Sequence, residues 1–115
     1  MIHYMSLNEK PFSLILNKEK TIELRLNDEK RQDIKKGDII VFNNHHENQI
    51  KLEVEVMRIH RFSSFKKLYE RLDLIKCGYQ KSELDKANSK DMLAYYSKEK
   101  QMKYGVLGIE IKVIE

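Results

Sequence analysis

Apolar and polar positions alternate through the first quarter of the chain. Ile2 to Leu7 alternates enough to predict a strand. Asn8 then stands as an N-cap for a short helix with Pro11 in its first turn and Phe12, Ile15 and Leu16 on one face, ending near Asn17 and Lys18. Thr21 to Leu26 returns to a period of two. That spacing predicts a strand whose Ile22, Leu24 and Leu26 enter a core while Thr21, Glu23 and Arg25 share the opposite face. A charged loop covers Asn27 to Asp33, and the turn at Lys36-Gly37-Asp38 feeds Ile39-Ile40-Val41-Phe42. This unbroken apolar run is expected of a strand buried on both faces.

The second half is less regular, and the irregularity is informative. Asn43 to Gln49 is polar, so the stretch from Ile50 should return antiparallel as a hairpin partner. Leu52, Val54 and Val56 alternate with charges, but the apolar phase then slips: Met57 is apolar, Arg58 polar and Ile59 apolar. One inserted residue, a β-bulge near Val56 and Met57, accounts for the switch of faces. Ser63 or Ser64 can cap a helix carrying Phe65, Leu68, Tyr69 and Leu72. Ser82 to Ala87 adds a turn, and Ser89 can cap Asp91 to Tyr96 with Met92, Tyr95 and Tyr96 as its apolar stripe. Tyr104 to Val113 closes the chain as a strand. Mostly strands, with helices inserted near the start and before the last strand, predicts a small α+β domain on a curved or closed sheet.

Composition narrows the function classes. At 115 residues the chain is expected to be one domain spanning 1–115, too short for a substrate domain plus a cofactor domain, and no cofactor is expected. Hydrophobic content of 41% with 35% charged residues fits a soluble globular protein. No apolar run approaches membrane-spanning length, and Met1 to Lys10 lacks the pattern of an export signal, so no membrane partner and a cytoplasmic location are expected. Cys77 is the single cysteine. It excludes an internal disulfide and a thiolate metal cage, and its place beside Gly78 reads as a helix end rather than a nucleophile. The net charge of +4 leans toward polyanions, but the cations are interleaved with acids, so folding must gather them onto one side.

The densest chemistry lies at Lys18-Glu19-Lys20-Thr21-Ile22-Glu23-Leu24-Arg25. Residues two apart on a strand are about 7 Å apart, close enough for Thr21, Glu23 and Arg25 to grip one small polar group between them. An ordinary solvated strand face would show the same alternation. For nucleic acid, Lys20, Arg25, Lys30, Arg31 and Arg61 are the candidate phosphate cations. Tyr95 and Tyr96 are candidate stacking surfaces, although a tyrosine pair on a helix stripe is more commonly core packing. Glu23 does not suit plain phosphate binding. A carboxylate accepts hydrogen bonds and can read an exocyclic amino group, which points to a base-sized pocket. Lys20 and Glu23 are the catalytic candidates, yet strict alternation turns Lys20 away from Glu23 unless it belongs to the loop before the strand. His45-His46-Glu47 resembles a metal clip without a third ligand, so no metal is expected there.

The chain resembles the ASCH domain family, a branch of the PUA-like fold. The resemblance rests on Pro11-Phe12 with Lys20-Thr21-Ile22-Glu23-Leu24-Arg25, the turn Lys36-Gly37-Asp38-Ile39-Ile40, the junction Arg61-Phe62-Ser63-Ser64-Phe65, and the closing Tyr104-Gly105-Val106-Leu107-Gly108-Ile109, which together span almost the whole length. Of the family pattern Gly-x-Lys-x-x-Glu-x-Arg, Lys20, Glu23 and Arg25 match while Lys18 replaces the glycine. Only glycine enters left-handed backbone angles without penalty, so the loop before the strand is where the geometry is expected to depart.

This resemblance implies a PUA-like β-barrel of five or six mostly antiparallel strands, with peripheral helices around a cleft, and RNA or a modified nucleoside as partner. A group similar in fold deacetylates 4-acetylcytidine with a lysine, a threonine and a glutamate. Lys20 falls on that lysine, but Glu23 occupies the threonine position; Thr21 is the substitute hydroxyl, and the third position falls near Asp85. Ribonuclease-like relatives rely on tyrosine, lysine and serine, which have no assigned counterparts here. The reading taken forward is an RNA- or nucleoside-binding domain with a cleft lined by Lys20, Glu23 and Arg25, the runner-up a small amidohydrolase on an acylated nucleoside, and the third a non-catalytic interaction module.

Overall fold

The computed structural model describes residues 1–45 and 50–115. Strand β1 (Ile2–Leu7) leads into helix α1 (Glu9–Leu16), then come β2 (Ile22–Leu26), β3 (Ile39–Asn44), β4 (Lys51–Phe62), α2 (Phe65–Arg71), α3 (Lys98–Tyr104) and β5 (Val106–Val113). Two 3₁₀ segments, Lys81–Lys86 and Ser89–Ala94, lie between α2 and α3. The strands form one mixed sheet in the order β1-β3-β4-β5-β2, with β1 parallel to β3 and the other neighbours antiparallel. The sheet curls into a half-barrel, an α+β arrangement of the small PUA-like kind.

Two apolar clusters hold it. Met5, Phe12, Ile34, Phe42, Val54 and Ile109 belong to the larger one, inside the curve of the sheet. Ile22, Leu24, Leu26, Phe65, Leu68 and Met92 form the second, on the other side of β2 and β5. Strand β5 serves both, since Val106 packs in one while Leu107, Ile109 and Ile111 pack in the other. At Gly108 the Leu72 side chain closes over the strand: a Cβ there would lie 2.6 Å from Leu72 Cδ1, so that side chain would have to turn aside.

The register of β4 against β5 shifts between Val56 and Arg58, so the bulge lies where the apolar phase slips. Met57 is left exposed. Beyond it Ile59 packs on the larger cluster and Phe62 on the smaller, so one strand feeds both cores.

Helix α1 ends in a feature that concerns the site. The Lys18 N–H donates to the Ile15 carbonyl at 3.0 Å and the Glu19 N–H to the Leu14 carbonyl at 2.9 Å, the paired bonds of a Schellman cap. That cap requires a left-handed residue, and Lys18 takes φ +65°. Where the family pattern has glycine, Lys18 thus holds, at an energetic cost, a left-handed backbone that glycine enters freely.

Three local expectations are corrected. Asn8 occupies the N-cap of α1 in an extended conformation, but its side chain makes no capping bond. Asn88, not Ser89, caps the second 3₁₀ segment: its side chain accepts from the Lys90 N–H, because the turn begins one residue earlier than the Ser89 pattern implied. Helix α3 was not expected, since Lys98–Tyr104 buries no residue and carries no apolar stripe; it starts on the Ser97 cap.

Candidate functional site

The backbone of Lys20 is fixed before β2 begins. Its N–H donates to the Leu14 carbonyl at 3.0 Å, and the N–H groups of Thr21 and Ile22 both donate to the Lys76 carbonyl at 2.9 Å. Lys20 thus belongs to the loop, and its side chain is released from the strand's alternation. Its ammonium lies 3.2 Å from Glu23 Oε1 and donates to the Cys77 carbonyl at 2.9 Å. Arg25 Nε donates to Glu23 Oε2 at 2.6 Å, and Arg25 Nη2 to the Ser6 carbonyl at 2.9 Å. Ser6 lies on β1 and Arg25 on β2, the two edges of the sheet order, so this guanidinium ties together the edges that the half-barrel leaves unpaired.

Lys20 and Glu23 are buried and Arg25 is half-buried, so this is not a solvated strand face. Lys20 is 9% exposed and Glu23 4%. Burial pushes the Glu23 carboxyl up, but Lys20 and Arg25 outweigh it and hold the group below the usual carboxylate range. Two cations around one carboxylate leave a net positive charge. Of the three ammonium N–H groups of Lys20, one meets Cys77 and one Glu23, which leaves one for a ligand.

This charge opens onto a cavity of about 500 Å³, within the range of small-molecule sites. Lys20, Glu23 and Arg25 line it together with Ser6 and Asn8 from the end of β1, and Lys10 and Leu14 from α1. The opposite segments supply Tyr69, Tyr79, Asp91, Tyr95 and Tyr96. Tyr95 is 66% exposed, so the expected apolar stripe holds only in part: Met92 is buried and Tyr96 packs against Phe65 with ring centroids 6.1 Å apart, while Tyr95 stands at the rim. Lys10 and Glu83, 4.0 Å apart and both solvent-facing, bridge α1 to the first 3₁₀ segment at the cavity's edge. Gly78 closes around Lys20. A Cβ at this residue would lie 3.1 Å from Lys20 Cδ, and its φ of +112° suits glycine.

Tyr69, Tyr79 and Asp91 form a chain of hydrogen bonds on this wall. The Tyr79 hydroxyl donates to Asp91 Oδ2 at 2.7 Å, and the Tyr69 and Tyr79 hydroxyls are 2.7 Å apart. Burial, followed by these bonds, raises the Tyr79 phenol; burial also raises Tyr69. Cys77 contributes its carbonyl rather than its thiol, which burial pushes up to about 11, too high for a ready thiolate.

The other sequence candidates are distributed elsewhere. Thr21 faces a second hollow of about 340 Å³ that it shares with Ile15, Lys18, Lys112 and Glu115; among the described residues only Lys20 borders both. Lys30 is exposed in the loop after β2. Arg31 pairs with Asp28 at 2.7 Å, near enough to Tyr96 to act on its phenol, without lining the cavity. Arg61 is exposed on β4, and Asp85 is exposed away from the cavity lining. His45 borders the cavity, whereas His46 and Glu47 of the clip lie outside the described residues. Among the described residues no group of three His, Cys, Asp or Glu side chains is placed to hold a metal ion, and no helix is long and apolar enough to cross a membrane. Sequence reasoning missed Tyr69, Tyr79 and Asp91 as site residues. No local signal marks them, since they come from three segments that only the fold brings together.

Comparison with family models matches the ASCH domain over residues 5–115. The crystal structure of the hypothetical protein PH0355 superposes with a TM-score of 0.82 at 38% identity, covering 99% of this chain and 100% of that one. The solution structure of PF0455 from Pyrococcus furiosus gives 0.72 at 36% identity, with 100% and 99% covered. A variant of the ASCH protein of Zymomonas mobilis, ZmASCH, shares the fold at a TM-score of 0.66 with 11% identity, over 99% of this chain and 75% of that one. A comparison with curated proteins gives no match.

Proposed function

This chain belongs to the ASCH domain family, and from that premise we propose that it binds RNA or a modified nucleoside in the cavity beside Lys20, Glu23 and Arg25. The observation that carries the reading is a triad of net positive charge, with Lys20 and Glu23 buried and Arg25 half-buried, opening onto a base-sized cavity walled by tyrosines. Its parts divide the work. Lys20 has an N–H left for a carbonyl or phosphate oxygen of the ligand. Glu23 holds Lys20 and Arg25 in place and keeps lone pairs for an amino group. Arg25 is committed to Glu23, Ser6 and Tyr96, so it positions the wall more than it grips the ligand. Tyr95 at the rim offers a flat face on which a neighbouring base can stack. Lys30, Arg31 and Arg61, away from the cavity, are left with a contribution to backbone attraction only. Thr21, the substitute hydroxyl for acyl hydrolysis, borders the other hollow, which counts against that residue as the nucleophile.

Filter binding of short single-stranded RNA at two salt concentrations tests this. Binding should weaken as salt rises, because cations released from phosphates enter the equilibrium, and Lys20→Met should weaken it by about ten-fold, the worth of one charged hydrogen bond. Absence of RNA and nucleoside binding at low salt would refute the proposal. Incubation with 4-acetylcytidine checks the hydrolytic runner-up: release of cytidine by the wild type but not by Lys20→Met would replace binding with catalysis.

A further inference from the structure

The Tyr69–Tyr79–Asp91 chain has a fixed direction, and the direction determines what the cavity can accept. A phenol carries one proton. Tyr79 gives its proton to Asp91, whose carboxylate oxygen also accepts from the Asn88 N–H at 3.2 Å. The oxygen of Tyr79 can then only accept from Tyr69, so the Tyr69 proton is used as well. The phenols are raised by burial, so they keep their protons and the order does not reverse at physiological pH. What Tyr69 and Asp91 present to the cavity is therefore lone pairs alone, while Lys20, lining the same cavity, presents a donor.

We infer that this relay makes the cavity selective for bases bearing an exocyclic amino group over those bearing a keto group at the same position. An amino group donates to the lone pairs that Tyr69 and Asp91 supply. A keto oxygen there meets lone pairs with lone pairs and loses its water without replacement. Tyr79 acts through Tyr69 and is a positioning residue; Tyr69 and Asp91 are the specificity-determining ones. The inference rests on the nucleotide-binding reading.

Calorimetric titration with nucleoside 5′-monophosphates separates the two. The pairs CMP and UMP, and AMP and IMP, differ at the amino or keto position. The wild type should prefer the amino member of each pair by about ten-fold, the discrimination one well-placed base-edge contact supplies. Tyr79→Phe frees the Tyr69 proton to point into the cavity, so the ratio should fall toward one. Asp91→Ala removes the acceptor that holds the Tyr79 proton, so Tyr79 can donate to Tyr69 and the Tyr69 proton turns to the cavity; it should lower the ratio too and serves if Tyr79→Phe does not fold. Binding of all four with no amino preference, or an unchanged ratio in both variants, overturns the relay and leaves the binding reading intact. No binding of any of the four overturns both.

Discussion

Glu23→Gln is the substitution that most directly probes the triad. It removes the negative charge between Lys20 Nζ, 3.2 Å away, and Arg25 Nε, 2.6 Å away, in a place only a few per cent exposed. Both cations stay, Lys20 with the Cys77 carbonyl and Arg25 with the Ser6 carbonyl and the Tyr96 hydroxyl as partners. Breaking a buried ion pair from one side costs about 3–5 kcal/mol. The glutamine still accepts one hydrogen bond, which returns about 1 kcal/mol, so a loss of about 3 kcal/mol is expected. A chain of this length is stable by about 6–17 kcal/mol, so the variant should fold but unfold earlier. Urea unfolding followed by far-ultraviolet circular dichroism, at matched m-values, measures the loss. The Lys20→Met/Glu23→Gln double variant removes one of the two orphaned cations. It should be less destabilised than the sum of the single variants by at least about 1 kcal/mol. A single-variant cost below about 1 kcal/mol, or strict additivity, would refute the claim that these charges compensate one another in a dry site.

Two other outcomes follow from the geometry. Lys18→Gly should stabilise the fold by about 0.5 kcal/mol: relief of the left-handed strain gives about 1–2 kcal/mol, offset by the freer unfolded chain at about 0.4–1 kcal/mol. The exposed pair of Lys18 with Glu115 adds little, and Lys18→Ala, measured by the same unfolding assay, should not stabilise. Stability should also fall on acidification, as thermal midpoints between pH 6 and pH 2 would show. Glu23 is held low by Lys20 and Arg25 against its burial, and Asp38 is held at about 2, chiefly by hydrogen bonds from His3 and the Lys35 N–H. Both folded values lie below the unfolded ones, so their contribution is complete above about pH 5 and is lost as pH falls through the folded values. Asp38→Asn should flatten the lower part of that curve, and a midpoint independent of pH would contradict both assignments.

What the sequence by itself determined was whatever is local. Period two placed β1, β2 and β4, the slip at Val56 and Met57 marked the bulge, and Ser64 marked the start of α2, because each depends on residues within a few positions. Period two also put Glu23 and Arg25 on one face, but with Thr21 as the third member; Lys20 and the position of Lys18 were marked by the resemblance to the ASCH family, not by the local pattern. The tertiary structure decided which side of β2 is dry. Glu23 alternates like a solvent-facing residue, but the Cys77 loop and the segments carrying Tyr69, Tyr79 and Asp91 fold over it. It also sent Thr21 to a different hollow and left Lys30, Arg31 and Arg61 off the cavity. The physical reason is that periodicity records which residues share a face of one element, whereas a cavity is made where faces of different elements meet, and that meeting is set by packing over sequence separations no local pattern encodes.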